Sequence, residues 1–167
     1  TTTGFATADF NSWPLFLPYV LLYAAIIGAC AGSTGGGMKV IRILLIFKQG
    51  FREVQRLIHP RAVIPIKLGG QRVSDRIVES VWGFFAVYVM VFLIMLLALL
   101  ATGLDIVTAF SAVGACINNL GPGLAEVAVT YGQLPAAAKW ILCFAMLLGR
   151  LEIFTLLVLF TPMFWKR

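Results

Sequence analysis

The amino-acid sequence predicts an all-α integral membrane protein, on the basis of its composition, its charge distribution and its long apolar segments. Of its 167 residues, 60% are hydrophobic and only 12% are charged, whereas globular domains average about 45–50% and about 25%. The mean hydropathy is +0.96. Because so few charged side chains cannot cover a core of this size with polar surface, lipid is expected to surround the chain.

Charge and cysteine content exclude several other classes of protein. The net charge is +6, but most of the 13 Lys and Arg residues fall between residues 39 and 76, which is typical of one cytoplasmic loop and not of a nucleic-acid site. The three cysteines lie far apart in apolar runs, so neither a disulfide nor a metal site is expected. Since the sequence starts at Thr1 without an initiator Met, we expect it to be the later portion of a larger protein.

Three apolar segments approach or exceed the roughly 20 residues that cross a bilayer. The first covers residues 15–31 and ends at the sequence GSTGGG, and the second covers residues 77–101. The third covers residues 134–161 and contains Lys139 and Arg150. Lys139 is near an end and is expected to reach the membrane interface. Arg150 is mid-span, where facing lipid would cost at least about 2.5–3.5 kcal/mol, so it should face protein or water.

Residues 105–124 predict a re-entrant segment between the second and third spans. Asp105 can cap a short helix over residues 106–117, which is too short to cross the membrane. The sequence NNLGPG then prevents the helix from continuing. Because non-helical backbone at membrane depth persists only within protein or beside a watery cavity, NNLGPG is expected to line a polar path.

The distribution of basic residues predicts the orientation in the membrane. Residues 48–76 are expected to be cytoplasmic, together with the C-terminal Lys166 and Arg167, and residues 118–123 to lie toward the outer face. Within the cytoplasmic loop, VIPIKL and QRV flank Gly69 and Gly70, which predicts a short β-hairpin.

Two glycines stand in similar surroundings. Gly4 in TTTGF and Gly121 in NNLGPG are each followed by a polar stretch, a proline and a long apolar segment, and Gly32 and Gly149 follow them at equal separations. An extended glycine segment beyond a re-entrant helix suits a cation filter, because carbonyl oxygens replace hydration and the helix dipole favours positive charge. The alternative is that both segments are tight turns between packed helices.

Four motifs, TTTGF, AGSTGGGMK, INNLGPGL and GRLEIFTLLVLFTP, occur in an order that resembles the Trk/Ktr/HKT superfamily of potassium transporters. Within it, the sequence is most similar to the bacterial TrkH/TrkG pore subunits, over essentially its whole length. The resemblance implies four linked repeats of helix, re-entrant pore loop and helix around one potassium-channel-like pore. This chain would hold the last one and a half repeats: residues 1–47 from repeat three, a basic linker at 48–76, and repeat four at 77–167.

The resemblance also implies the site residues. Gly4 and Gly121 would supply two of four glycines whose carbonyls form the potassium filter. The filter residues would be Thr1, Thr2, Thr3, Gly4, Phe5, Asn118, Asn119, Leu120, Gly121 and Pro122, with K+ bound at Thr2, Thr3, Asn119 and Leu120.

AGSTGGGMK resembles the intramembrane gating loop of the family. The gate residues would be Gly32, Ser33, Thr34, Gly35, Gly36, Gly37 and the pore-facing Arg150. Three adjacent glycines cannot hold a helix and give the backbone the freedom that a gate in a wet cavity requires. The alternatives are a simple interfacial break before Lys39 and a purely structural ion pair at Arg150. The sequence is not a phosphate-binding loop, because Met38 separates Gly37 from Lys39.

The function implied is potassium uptake across the bacterial inner membrane, with no bond broken and no cofactor on this chain. The family resemblance implies a homodimer in lipid and a cytosolic regulatory subunit of TrkA type, to which ATP or NAD would bind; no nucleic-acid partner is expected. A secondary transporter of sodium or of a small solute remains an alternative, as does a membrane enzyme using GSTGGG, although the single His59 lies in a basic loop unsuited to catalysis. Whether flux is channel-like or coupled to protons or sodium stays open.

Overall fold

The computed structural model describes residues 2–14, 16–30, 32–33, 35–151, 153, 158 and 162–165. Within this part of the chain, the structure is helical apart from one small hairpin, which confirms the predicted class. The helices are α1 (Phe16–Ile27), α2 (Val40–Ile58), α3 (Asp75–Ala101), α4 (Ile106–Ile117), α5 (Ala136–Arg150) and α6 (Pro162–Trp165). Two short 3-10 turns cover Phe10–Ser12 and Ala125–Val127, and the strands are β1 (Lys67–Leu68) and β2 (Gln71–Arg72).

Helix α3 is the one helix of the described residues that is both long and apolar enough to span a membrane. It begins two residues before the predicted segment and ends at the predicted residue. One face is buried against the rest of the chain and includes Tyr88 and Leu99, whereas Leu93 and Leu97 on the other face are exposed. Exposed apolar side chains on a helix of this length are suited to contact with lipid.

Helix α4 has the bounds that the sequence predicts. The Asp105 carboxylate accepts a hydrogen bond from the Val107 N–H at 3.0 Å, which caps the first turn. From Thr108 onward nearly every residue is buried, because α1, α3 and α5 all pack against this short helix. Small residues permit this close packing: a Cβ added at Gly114 would lie 3.4 Å from the buried side chain of Leu22 on α1.

Helix α1 is shorter than the apolar run that predicts it. The run covers residues 15–31, but the helix ends at Ile27 because Gly28 has a left-handed conformation with φ of +76°. Twelve residues, 28–39, then connect α1 to α2, and we call them the glycine loop. The polypeptide therefore leaves the helix before it reaches the first glycine of GSTGGG.

The third predicted span is helical over its first half. Helix α5 ends at Arg150, and Leu151 is its C-terminal cap. A stripe of buried side chains on α5, at Ala138, Leu142, Ala145 and Leu148, packs against α4. Most of the span beyond Leu151, together with Lys166 and Arg167, lies outside the described residues.

The basic linker contains the predicted hairpin. Lys67 pairs with Arg72 and Leu68 with Gln71, and the turn residues Gly69 and Gly70 both have positive φ, as a two-residue hairpin turn requires. Nearby, the buried Arg52 of α2 forms an ion pair with Asp75 at the start of α3, with 2.6 Å between the guanidinium and carboxylate atoms. This pair joins the far end of α2 to α3.

Candidate functional site

The segment that follows α4, residues 118–122, has an alternating backbone; we call it the second glycine segment. Asn119 and Gly121 have left-handed φ values of +54° and +100°, and Leu120 between them does not. Alternating handedness turns successive carbonyl groups toward one side of a chain and the N–H groups toward the other. The segment can thus present a row of oxygens, as a cation site needs.

Residues 2–5, which we call the first glycine segment, repeat this pattern. Thr2 and Gly4 have φ values of +53° and +79°, whereas Thr3 between them is not left-handed. Thr2 and Gly4 therefore correspond to Asn119 and Gly121. A threonine or asparagine in this conformation is strained, and the same strain at two matching positions indicates that both segments have the same local structure.

The two glycine segments touch each other. A Cβ added at Gly4 would overlap the carbonyl oxygen of Leu120 and would lie 3.3 Å from the ring of Pro122. Gly4 is thus required both by its positive φ and by this backbone contact. Beside the contact is a cavity of about 340 Å³, lined by both segments and by one side of α1.

The two asparagine side chains of the second glycine segment hydrogen-bond to three helices. The Asn118 amide is fully buried and accepts a hydrogen bond from the Tyr88 hydroxyl of α3 at 3.0 Å, while it donates to the Gly114 carbonyl at 2.6 Å. Asn119 donates from Nδ2 to the Met146 carbonyl of α5 at 3.4 Å.

The end of the same segment near Gly121 is also hydrogen-bonded. The Tyr131 hydroxyl donates to the Gly121 carbonyl at 2.7 Å. Just beyond it, the Ser111 hydroxyl of α4 accepts from the Leu124 N–H at 2.9 Å. The segment is therefore bonded to helices near Asn118 and to the loop before α5 at Gly121.

The glycine loop is closed at its base. The N–H of Met38 donates to the Ile26 carbonyl at 3.1 Å, and that of Val40 donates to the Ala29 carbonyl at 3.2 Å. Gly28 and Gly37 lie against each other, since a Cβ on Gly28 would be 3.1 Å from the Gly37 Cα. The two ends of the glycine loop are therefore hydrogen-bonded across its base.

The tip of the glycine loop lies against both glycine segments. A Cβ on Gly36 would overlap the carbonyl of Asn118, and a Cβ on Gly35 would come 3.4 Å from the Thr2 hydroxyl oxygen. On α5, a Cβ on Gly149 would overlap the Ile117 carbonyl. The carbonyl end of α4 is thus enclosed by glycine backbone from two directions.

A cavity of about 220 Å³ lies next to this contact. Its lining includes Ser33, Gly35 and Gly37 of the glycine loop, Tyr88 of α3, and the cationic side chains Lys39, Arg42 and Arg150. Arg42 stacks over the Phe84 ring, with its guanidinium carbon 4.2 Å from the ring centroid. Three cationic side chains therefore line one cavity beside the glycine loop.

The structure brings together most of the residues predicted for the site. Thr2, Thr3 and Gly4 lie with Leu120 and Pro122 on the larger cavity, and Gly35, Gly37 and Arg150 lie together on the smaller one. Phe5 also lines the larger cavity, but its side chain is 95% exposed. Among the described residues, none beyond its chain neighbours lies within 4 Å of the Cβ position of Gly32, so their packing does not require glycine there. Thr1 and Thr34 lie outside the described residues.

At three positions the structure adds contacts that the sequence did not predict. The Asn118 side chain points into the protein, and the Gly121 carbonyl accepts a hydrogen bond from Tyr131. The Lys139 ammonium donates to the Gly132 carbonyl at 2.8 Å. Tyr88 and Tyr131 are contacts that the sequence analysis missed. The sequence could have indicated them only as tyrosines in or beside an apolar segment, and such tyrosines are also common where they have no role in a site.

A short buried helix that ends at an extended glycine segment, with apolar helices packed around it, is typical of membrane transport proteins. Comparisons with known proteins agree. The family model described as "TrkH: Cation transport protein" matches residues 1–167. The chain belongs to the TrkH family of cation transport proteins, which confirms the resemblance seen in its motifs.

Individual relatives cover nearly all of this chain. The Trk system potassium uptake protein TrkH from Halomonas elongata is 62% identical over 167 residues, which is 100% of this chain and 35% of that protein. The Trk system potassium uptake protein TrkG from Escherichia coli K12 is 43% identical over 166 residues, or 99% of this chain and 34% of TrkG. The chain spans about a third of the length of these relatives.

The fold matches a solved structure as well. The crystal structure of the potassium transporter TrkH from Vibrio parahaemolyticus has a TM-score of 0.91 and 60% sequence identity, covering 99% of this chain and 36% of that one. The arrangement of helices around α4 is therefore that of a TrkH protein.

Proposed function

We propose that this chain forms part of the ion pathway of a potassium uptake protein, with its two glycine segments as two walls of the selectivity filter. The observation that carries the proposal is the contact of Gly4 with Leu120, between two segments that have left-handed residues at matching positions. The potassium uptake named for the relatives supports K+ as the ion.

In this proposal, main-chain carbonyls replace the hydration shell of K+. The ligands are the carbonyls of Thr2 and Thr3 on one wall and of Asn119 and Leu120 on the other, because the alternating handedness can turn them to one side. Thr1, Phe5, Asn118 and Pro122 frame these positions. The C-terminus of α4 ends at the second segment, and its partial negative charge favours a cation there.

The glycine loop is the gate in this proposal. Gly36 lies against the Asn118 carbonyl and Gly35 is near Thr2, so the loop tip is in position to close the path beside both walls. Gly32 to Gly37 give the loop the backbone freedom to move. Arg150 adds a positive charge on the adjacent cavity, which raises the barrier to K+.

The proposal also includes the surroundings of the chain. The protein is placed in the bacterial inner membrane as a multi-pass homodimer, with residues 48–76 and the C-terminus cytoplasmic and the filter toward the periplasm. A cytosolic subunit of TrkA type regulates the gate and binds ATP or NAD, while this chain binds neither. The exposed basic residues of the linker, such as Arg61 and Arg72, are available for that contact.

The test uses a chimera in which this chain replaces the matching third of the 60% identical Vibrio parahaemolyticus relative. Cells that lack their own potassium uptake systems express the chimera, and uptake of radioactive rubidium is measured in the presence of competing ions. We expect uptake well above that of cells with an empty vector, strong competition by K+ and weak competition by Na+. Uptake that K+ fails to inhibit, or equal inhibition by Na+, would contradict the proposal and favour a sodium or solute transporter.

A further inference from the structure

The inference concerns Tyr131, whose hydroxyl donates to the Gly121 carbonyl at 2.7 Å. Tyr131 lies in the loop before α5, ten residues after Gly121, and its side chain reaches back to the second glycine segment. The hydroxyl also adjoins the thiol of the buried Cys116 in the last turn of α4. Tyr131 thus connects the end of α4, the outer loop and the glycine segment.

The peptide between Gly121 and Pro122 has few other means of being fixed. Proline has no N–H, so the carbonyl oxygen is the one hydrogen-bonding group of this peptide. The proline ring restricts rotation on one side, whereas on the other side Gly121 has no Cβ to restrict ψ. Among the described residues, nothing beyond the chain neighbours of Gly121 lies within 4 Å of its Cβ position. The hydrogen bond from Tyr131 fixes the remaining soft dihedral.

The loop holds the Tyr131 hydroxyl in place. The Lys139 ammonium of α5 donates to the Gly132 carbonyl at 2.8 Å, and the Gly132 N–H donates to the Thr130 hydroxyl at 3.1 Å. Leu134 is buried and its N–H donates to the Tyr131 carbonyl at 3.3 Å. The backbone around Tyr131 is therefore tied to α5 through Lys139, which limits the positions that the hydroxyl can take.

We propose that Tyr131 is a positioning residue that sets the discrimination between K+ and Na+ by holding the Gly121 carbonyl of the second glycine segment. The proposal rests on the proposed function, since it gives that filter a residue that controls its selectivity. Selectivity depends on the spacing and number of the carbonyls that replace hydration. If Gly121 rotates, the neighbouring carbonyls of Leu120 and Asn119 shift as well, and a smaller ion is better accommodated.

The experiment replaces Tyr131 by phenylalanine in the chimera, which removes the hydroxyl and keeps the ring. The measurement is the ratio of the Na+ and K+ concentrations that halve rubidium uptake, which does not depend on the amount of protein. We expect Tyr131→Phe to lower this ratio about fivefold, the change expected from one neutral hydrogen bond. The matched control is Tyr23→Phe, at an exposed tyrosine on α1, which should leave the ratio unchanged.

A second variant tests the same hydroxyl without altering it. Lys139→Met keeps the aliphatic stem but removes the donor to Gly132, so the loop loosens and the ratio should fall by about twofold. An unchanged ratio in Tyr131→Phe would overturn the proposal, and so would an equal fall in Tyr23→Phe. If Tyr131→Phe fails to reach the membrane, an unchanged ratio in Lys139→Met would overturn it. Failure of the unmodified chimera to take up rubidium would count against the proposed function instead.

Discussion

The two glycine segments have the same pattern of backbone handedness, but their glycines stand in different surroundings. In the second segment, the Gly121 carbonyl accepts a hydrogen bond from Tyr131, and no described residue beyond its chain neighbours lies within 4 Å of its Cβ position. In the first segment, the Gly4 backbone packs directly against the Leu120 carbonyl. The comparison teaches that the same positive φ favours glycine at both positions, whereas lack of space adds a second requirement at Gly4.

The sharpest test of this comparison is the same substitution at both glycines. In Gly4→Ala the new methyl group would overlap the Leu120 carbonyl and the residue would have an unfavourable φ, which together cost about 3 kcal/mol or more. Rubidium uptake by the chimera should therefore fall about a hundredfold. In Gly121→Ala the methyl group has open space, so only the strain of about 1–2 kcal/mol remains and uptake should fall about tenfold. Equal losses of rubidium uptake in the two variants would mean that the contact of Gly4 with Leu120 does not contribute to uptake.

A second pair of substitutions tests which of the two glycine segments the tip of the glycine loop blocks. Gly36→Ala would force the loop away from the Asn118 carbonyl, so uptake should rise about tenfold, which corresponds to about 1.4 kcal/mol. Gly35→Ala is the milder comparison. Its methyl group would come within 3.1 Å of the Ala29 Cβ, 3.3 Å of the Ser33 hydroxyl oxygen and 3.4 Å of the Thr2 hydroxyl oxygen, but would overlap no backbone atom. Its uptake should stay within about twofold of the unmodified chimera. A fall in uptake for Gly36→Ala would contradict the assignment of the loop as gate.

The smallest expected effect concerns the charge beside the second segment. Arg150→Ala removes one positive charge from the smaller cavity, so the initial rate of rubidium uptake should rise about threefold. Arg150→Lys keeps the charge and should change the rate little. A lower rate in Arg150→Ala would favour a structural ion pair over a barrier to K+.

The sequence predicts the second segment better than the first because its signals are local. Asp105 as N-cap and NNLGPG as terminator define α4 at both ends, and the pair Gly69 and Gly70 defines the hairpin. The end of α1 was not predictable in the same way. Residues 28–31 include apolar side chains, and the left-handed turn at Gly28 depends on its contact with Gly37.

The contacts of the candidate site are the part that the sequence could not predict in detail. Gly36 and Asn118 lie far apart in the chain but their backbones are in close contact. The sequence around neither residue indicates this partner. Tyr88 and Tyr131 were missed for the same reason, because a tyrosine in an apolar setting has many possible partners. The family resemblance placed the glycines and Arg150 near one another, but the bonds that hold them come from the folded chain.

The closed base of the glycine loop has a consequence for the gate that we propose. The hydrogen bonds of Met38 to Ile26 and of Val40 to Ala29 join the two ends of the loop, whereas its tip lies against Asn118 and Thr2. If the loop is the gate, we expect its tip to leave these two contacts while the bonds at the base persist. Opening would then not require α1 and α2 to separate.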